Sequence, residues 1–391
     1  MEHEAAVRAP THHDGREIWD DFVHTGPGTL AGRYLRSFWQ PVARSEDLHP
    51  GRALPLKIMG EDLTLYRGEG GAAHLVAFRC AHRGTQLSTG WVEGDAIRCF
   101  YHGWKYDANG QCTEQPAEPE PFFSRIKITS YPVQEYLGLI FAFLGEGEPP
   151  ELPRYGELEE EGVLEVRVPI YWPMNYFQRL ENSADDVHVA FVHRESSYGE
   201  HGLYIPPLVE GGETDYGFEN LAIRPGEAVR ATHFHMPNIN RIKGHPIGAG
   251  WTDNVSWTVP VDDEHCARFV VVLNHVSGQD ADAFRAKRRA QLERAGDPMV
   301  IGELGDAVLR GELRIEEIKD RTYIVQIQDY ISLLGQGTVA DRSQERLGRS
   351  DSVVFLLRNL WARELHALAE GGPLKRWSRP ERLEATAGAP A

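Results

Sequence analysis

The sequence predicts an α+β protein of two domains, an N-terminal antiparallel β-sandwich and a larger domain whose antiparallel sheet carries helices on one face. Three observations lead there. Short strand-like runs crowd residues 38–145, the breaker-rich segment Gly145-Glu146-Gly147-Glu148-Pro149-Pro150 interrupts that pattern, and longer strand and helix patterns follow it. A chain of 391 residues also exceeds one typical domain and has ample length for a large core. The expected boundaries are 37–148 for the sandwich, with 1–36 and 149–391 forming the second domain.

Along the chain, the segment to about Arg36 holds an amphipathic stretch and the breaker Gly26-Pro27-Gly28, after which an apolar pattern resumes at Leu30. Residues 54–59 turn at Gly60-Glu61-Asp62 into 63–66, residues 75–78 form a further strand, and 138–144 close the sandwich. Past the linker and the acidic run 157–161, strands are expected at 231–236, 255–261 and 268–273, the last of them buried. Helices are expected at 280–295 and 352–370, the second stopped by Gly371-Gly372-Pro373. No internal repeat is visible.

Composition removes several function classes. Lys plus Arg total 41 against 58 Asp plus Glu, a formal charge of −17 that argues against nucleic acid as a partner. Hydrophobic content of 41% fits a globular chain, and no apolar run approaches the roughly 20 residues needed to cross a bilayer. Met1-Glu2-His3-Glu4-Ala5 lacks a basic region followed by an apolar core, so no signal peptide is expected. Of four cysteines, Cys112 and Cys266 show no framework spacing, which fits a cytoplasmic location.

The other two cysteines carry the chemistry. Cys80-Ala81-His82 and Cys99-Phe100-Tyr101-His102 form a C-x-H…C-x-x-H pattern with sixteen residues between its halves, each half followed closely by a glycine, Gly84 or Gly103. Two thiolates and two imidazoles from two adjacent loops are the ligand set of a Rieske [2Fe–2S] centre. The glycines allow tight turns that bring backbone amides toward the cluster. Structural zinc also takes two Cys and two His, but zinc fingers pair like with like, whereas each half here holds one of each.

A second cluster lies at Asn182-Ser183-Ala184-Asp185-Asp186-Val187-His188-Val189-Ala190-Phe191-Val192-His193. Two neutral imidazoles, His188 and His193, with one carboxylate make a facial triad for ferrous iron that leaves positions open for dioxygen. Residues five apart on a regular helix point about 140° away from each other, so one metal requires a π-bulge or a helix end between them. Asn182, Asp185 and His188 step by three and stay on neighbouring parts of one face. The third ligand is not set by spacing: Glu316, Glu317, Asp320, Asp329 and Asp341 all remain candidates.

Together, C-x-H-R-G…C-x-Y-H-G-W and N-x-x-D-x-x-H-x-x-x-x-H resemble the Rieske non-heme iron aromatic-ring oxygenases, oxygenase component, in the branch of phthalate dioxygenase and dehydrodivanillate O-demethylase. Respiratory Rieske proteins carry an additional disulfide-forming cysteine in each loop, where Thr85 and Tyr101 stand here. The only departure from the pattern is Ala81 and Phe100 in places where many relatives have proline. The segment Ile327-Gln328-Asp329-Tyr330, followed by Gln336-Gly337 and Asp341-Arg342-Ser343, resembles the branch's C-terminal region, and by position makes Asp329 the carboxylate ligand.

The resemblance implies a helix-grip catalytic domain, a [2Fe–2S] cluster on Cys80, His82, Cys99 and His102, mononuclear Fe(II) on His188, His193 and Asp329, and electrons from an NAD(P)H-dependent reductase of flavin or ferredoxin type. It implies that Asp185 bridges His188 to the His102 counterpart of a neighbouring subunit, hence a homotrimer, and that Asn182 lies near the iron without ligating it; capping of a helix N-terminus is the competing role for Asn182. Hydroxylation or O-demethylation of an aromatic substrate, carboxylated or methoxylated, is the implied reaction, with ring cis-dihydroxylation as the alternative. Trp104 reads as a packing cover for the cluster, and Arg83 as a loop or interface contact. His233 and His235 share one strand face and, with Asn238, are candidates for the substrate pocket; Arg241 and Lys243 are candidate anchors for a carboxylate. An electron carrier without catalysis and a zinc-stabilised binding module are the rivals, and the carrier has no need of the 182–193 constellation.

Overall fold

Strand alternation and tight turns in the first third of the chain produce small antiparallel sheets rather than one long one. The computed structural model describes residues 19–196, 204–226, 229–247, 250–295, 298–318 and 322–383. Its contacts separate a sandwich unit, Thr25–Leu152 with Val259–Asp262, from a sheet unit formed by the residues up to His24, Pro153–Thr258 and the chain from Asp263 onward. Among the described residues no helix is long and apolar enough to cross a membrane.

The first helix, α1 (Trp19–Val23), belongs to the sheet unit, where the Phe22 ring stacks on Phe177 at 4.6 Å. The second, α2 (Leu30–Arg36), belongs to the sandwich unit, so the boundary falls some twelve residues before the expected one. Thr29 caps α2 by accepting from the Gly32 amide, and Gly32 is obligatory because a Cβ there would sit 2.1 Å from the Gly26 carbonyl. At its other end, Arg36 pairs with Glu61 at 2.8 Å and donates to the Met59 carbonyl at 3.0 Å, which ties α2 to the strands.

Three antiparallel sheets make up the sandwich unit. One holds β1 (Gln40–Arg44), β10 (Val133–Tyr136) and β11 (Leu139–Ala142); a second holds β2 (Ala53–Ile58), β3 (Glu61–Arg67), β4 (Ala73–Ala77) and β9 (Ser130–Tyr131). The third, of β5 (Trp91–Glu93), β6 (Ala96–Arg98), β7 (Lys105–Tyr106) and β8 (Cys112–Glu114), presents the 99–104 loop as its central hairpin turn. Tyr66, Val76, Leu87, Ile97, Trp104, Tyr106, Cys112 and Ile128 form a buried cluster with Cys80 and Cys99.

The sheet unit is built on eight antiparallel strands: β12 (Val163–Val166), β13 (Ile170–Trp172), β14 (Leu208–Glu213), β15 (Gly217–Ile223), β16 (Arg230–His235), β17 (Ile239–Ile247), β18 (Gly250–Pro260) and β19 (Cys266–Asn274), in the order β12-β19-β18-β17-β16-β15-β14 with β13 also on β19. Its helices are α3 (Tyr176–Ala184), α4 (Val187–Val192), α5 (Gly278–Ala295), α6 (Val300–Leu309), α7 (Ile324–Leu334) and α8 (Ser352–Ala369).

Strand register decides which sheet face meets which helix. Asn220 and Asn240 donate to the Ala184 and Ser183 carbonyls at 3.0 and 3.2 Å, so their face carries α3. Gly211 pairs with Asn220, and a Cβ there would meet Val353 of α8 at 2.6 Å, so α8 shares that face. The opposite face is strapped by residues 155–160 and 376–383, through contacts such as Arg379 to the Met236 carbonyl at 2.6 Å.

Helix α3 is locked from the C-terminal side by a buried charge cluster. Glu181 accepts from Arg342 at 2.7 Å and from Arg358 at 2.6 Å, and Arg358 also forks onto Glu345 at 2.7 and 2.9 Å. Burial opposes ionisation of Glu181, but the two guanidinium groups outweigh it and hold the carboxyl below its ordinary range. Glu181→Ala strips a buried partner from both arginines and is expected to destabilise the sheet unit by about 3–5 kcal/mol, read as a fall in its denaturant midpoint.

Candidate functional site

The two cysteine loops repeat one geometry. Cys80 N donates to the Thr85 carbonyl at 2.8 Å and Gly84 N to the Cys80 carbonyl at 2.9 Å; Cys99 N donates to the Trp104 carbonyl at 2.8 Å and Gly103 N to the Cys99 carbonyl at 3.1 Å. Both turns close on a glycine at φ +75°, where an L side chain is strained. The cysteines are buried, while His82 and His102 sit half-buried with ring centroids 4.5 Å apart. Burial pushes the Cys99 thiol up and the neighbouring Cys80 sulfur adds to the rise, so the Cys99 thiolate is costly here without a bound cation.

Tetrahedral zinc would require these four donors to converge on one point. Among the described residues the only set of three or more donor atoms within 4.8 Å of one another is elsewhere, at His188, His193 and Asp329. Four donors spread more widely suit a two-iron cluster and not a single ion. Trp104 covers the site, stacked on His82 at 4.6 Å and 7° and only 4% exposed. Arg83 lies over the exposed Tyr101 ring, 5.3 Å from its centroid. The Tyr106 hydroxyl is 3.2 Å from Cys80 Sγ and accepts from Ala81 N at 3.1 Å; burial keeps its phenol protonated well above the ordinary value.

The second centre depends on a helix break. Asp185 ends α3 with extended backbone angles (φ −96°, ψ 113°), and its Oδ1 accepts from the Val187 and His188 amides at 2.7 and 3.3 Å, capping the start of α4. Asn182, Asp185 and His188 therefore do not share one helix face; they meet across the break. Asn182 lies in the last turn of α3, and the N-cap is Asn175, so helix capping is not the role of Asn182. His193 is the C-cap of α4, past its regular turns, and its ring reaches 5.3 Å from that of His188.

The metal-facing atoms are identified by their partners. His193 Nδ1 is 2.9 Å from Gln328 Oε1, which fixes that nitrogen as the donor and turns Nε2 toward Asp329 Oδ1 at 3.2 Å. His188 Nε2 is 3.8 Å from the same oxygen, and Asn182 Nδ2 is 3.4 Å from His188 Nε2. Asp329 Oδ1 is buried with no hydrogen-bond partner, an arrangement that a cation relieves. Burial alone would raise the Asp329 carboxyl, but Arg179, His193 and His188 hold it well below its ordinary range. His188 is lowered by burial and raised further by Asp185 and Asp329, ending above its ordinary value; its Nδ1 stands 3.6 Å from Asp185 Oδ2.

Asp329 reaches this point from α7. The described competing acids do not: Glu316 faces Arg314, Glu317 accepts from the Arg314 amide, and Asp341 caps a short turn through Ser343. Asp320 lies outside the described residues.

Comparison with known proteins gives the family. Residues 38–135 match the Rieske [2Fe-2S] domain. The chain is 31% identical to the 5,5'-dehydrodivanillate O-demethylase oxygenase subunit of Sphingobium sp. (strain NBRC 103272 / SYK-6), over 90% of this chain and 80% of that one. It is 33% identical to the phenoxybenzoate dioxygenase subunit alpha of Ectopseudomonas oleovorans, over 88% of this chain and 84% of that one. The chain belongs to the Rieske non-heme iron oxygenases. A solved structure of the Pseudomonas putida CBB5 NdmA QL mutant with theobromine has the same fold, with a TM-score of 0.66, 22% identity, and 87% of this chain and 93% of that chain covered. The oxygenase carries a [2Fe–2S] cluster and a mononuclear iron, and as one component of a multicomponent system it takes electrons from a reductase or ferredoxin partner.

Register corrects the expected pocket residues. His233 pairs with Glu219 and Arg241 across the sheet, one step out of phase with Asn220 and Asn240, so His233, His235 and Arg241 face away from α3 and its side of the sheet. His233 Nδ1 is 2.9 Å from the Tyr216 hydroxyl and His235 stacks on the Tyr216 ring at 4.3 Å. Arg241 is buried in an ion pair with Glu157 at 2.7 Å and donates to the Pro380 carbonyl at 2.8 Å; Lys243 donates to the Leu383 carbonyl, and Asn238 to the Thr258 carbonyl at 2.8 Å. None of these groups is an open anchor for a substrate anion.

Three residues emerge only from the structure. Gln328 and Arg179 contact His193 and Asp329, and Tyr106 contacts Cys80; Gln328, beside Asp329 in sequence, is the one a motif reading could have reached. With Cys80 ligating a cluster as thiolate, the sulfur could only accept, and the Tyr106 hydroxyl would donate to it and favour the more negative, reduced cluster. For a bond worth about 1 kcal/mol more to that state, Tyr106→Phe is expected to lower the cluster potential by on the order of 40 mV, measured by redox titration with the cluster spectrum retained.

Proposed function

We propose that the oxygenase hydroxylates or O-demethylates an aromatic compound bearing a carboxylate or methoxy group, with cis-dihydroxylation of the ring as the alternative outcome. The observation that carries this reading is the convergence of His188 Nε2, His193 Nε2 and the unpartnered Asp329 Oδ1 in a chain that also holds a Rieske motif. An electron carrier needs only the second of these. The relatives named for dehydrodivanillate and phenoxybenzoate support an aromatic substrate.

In this reading Cys80, Cys99, His82 and His102 hold the cluster, and His188, His193 and Asp329 hold ferrous iron. The cluster supplies single electrons and the iron supplies dioxygen activation. Gln328 keeps the His193 tautomer whose unprotonated Nε2 faces Asp329 Oδ1. Burial of His193 and Asp329 (3% and 5% exposed) excludes bulk water from the ligand side of the site. The donor proposed for the cluster is an NAD(P)H-dependent reductase of flavin or ferredoxin type.

Asp185 is proposed to couple the two centres within a homotrimer, one oxygen toward His188 and the carboxylate reaching His102 of the partner subunit. Support comes from the partial exposure of the Asp185 side chain, 30%, beside the half-buried His188 imidazole, and from the exposed Trp91, Phe100 and Tyr101 around the cluster loops. A carboxylate between two ligating imidazoles orients both rings over a short path.

The function is tested by substrate-dependent oxygen uptake with product mass analysis over a panel of aromatic acids and methoxyaryl compounds. Gain of one oxygen or loss of a methyl group is the expected result; gain of two oxygens selects cis-dihydroxylation, and a chain with no uptake across the panel and no iron beyond its cluster rejects the reading. Asp185→Asn is expected to retain both iron centres while turnover falls at least 100-fold; iron analysis, the cluster spectrum and oxygen uptake on the same preparation check it, and an undiminished rate refutes the bridge.

A further inference from the structure

Arg179 is 2% exposed on α3, one turn before Asn182. Its Nη1 donates to Asn182 Oδ1, its Nη2 stands 3.4 Å from Asp329 Oδ2, and its guanidinium lies over the Trp172 ring with Cζ 5.3 Å from the centroid. One rigid group thus touches both a proposed iron ligand and Asn182, whose amide nitrogen is 3.4 Å from His188 Nε2. Nothing in the reaction as set out above uses this residue.

The consequences differ for the two partners. Asp329 has two equivalent oxygens and could ligate through either or both. The guanidinium takes Oδ2, while Oδ1, without a hydrogen-bond partner, faces the two imidazoles. Asn182 could offer a metal either its oxygen or, toward a bound molecule, its amide hydrogens. With Oδ1 accepting from Arg179, the amide nitrogen is the atom turned to the site, 3.4 Å from His188 Nε2. A planar fork can serve both acceptors at once, and an ammonium point charge cannot impose the same two directions.

We propose that Arg179 is a positioning residue that restricts Asp329 to one-oxygen ligation and makes Asn182 a hydrogen-bond donor, not a ligand, toward the open side of the iron. The open positions of the site are then kept open by the protein: the second carboxylate oxygen is held off the metal, and the nearest neutral side chain presents N–H groups to whatever small molecule enters. The proposal rests on the reading of His188, His193 and Asp329 as the iron site.

The test uses the full-length protein with its cluster intact, stripped of mononuclear iron by chelation and reloaded with ferrous ion. Nitric oxide then serves as a paramagnetic probe of the open position by electron paramagnetic resonance. Arg179→Gln is expected to weaken ferrous binding by about 10–100-fold and to change the rhombicity of the nitric oxide signal, with the cluster absorption unchanged; loss of a buried partner also lowers the thermal midpoint, so the signal of the folded protein is the readout. Arg179→Lys, which keeps the charge and loses the fork, is expected to recover part of the affinity and not the signal; it also carries the test if the Gln variant does not fold. Variants that load with wild-type affinity and give the wild-type signal overturn the proposal, as does full recovery of both by Lys. Wild-type protein that takes up no ferrous iron beyond its cluster overturns the site reading beneath it instead.

Discussion

The proposed iron site depends on one interruption of the backbone. Two histidines five residues apart cannot address one ion from an unbroken helix, because their directions differ by about 140°. Asp185 ends α3 in an extended conformation and uses its own carboxylate oxygen to cap α4, which brings His188 back over the end of α3 and leaves His193 at the helix terminus. A cap of this kind contributes about 1 kcal/mol, too little to hold the break by itself. The remainder comes from Asp186, whose buried carboxylate accepts from Asn220 at 2.9 Å and Arg230 at 2.8 Å, and from Asn220 and Asn240 on the last carbonyls of α3.

Charge is used twice around α3, in different ways. Glu181 faces Arg342 and Arg358 and joins the helix to the C-terminal part of the chain, a contact whose value lies in holding α3 fixed. Arg179 lies on another side and faces Asp329. Both pairs are buried and both keep a carboxylate ionised against the cost of desolvation. In the cluster loops the organising groups are neutral: backbone amides closing on carbonyls, two glycines in left-handed conformation, and a phenol that burial keeps protonated.

Much of this was legible in local sequence because the chemistry is compact along the chain. Cys80, His82, Cys99 and His102 lie within two hairpin-sized loops, and Asn182 to His193 within twelve residues. The strands and helices with clear periodicity appear at the expected positions, as β16 (Arg230–His235), β19 (Cys266–Asn274), α5 (Gly278–Ala295) and α8 (Ser352–Ala369) show. The pocket residues were not legible. Alternation places His233, His235 and Arg241 together on one face of the sheet, but a period of two does not say which face meets the helices.

What the sequence determined by itself is the inventory of donors and their local spacing, since ligand type and turn chemistry are properties of neighbouring residues. Tertiary structure alone decided the rest. It brought Asp329, of the four described acids, beside His188 and His193 by laying α7 beside α4, paired Arg179 with a carboxylate 150 residues away, and turned His233 and Arg241 to the far side of the sheet through strand register. The physical reason is that these outcomes are set by contacts between distant segments, and no local periodicity encodes which distant segment arrives.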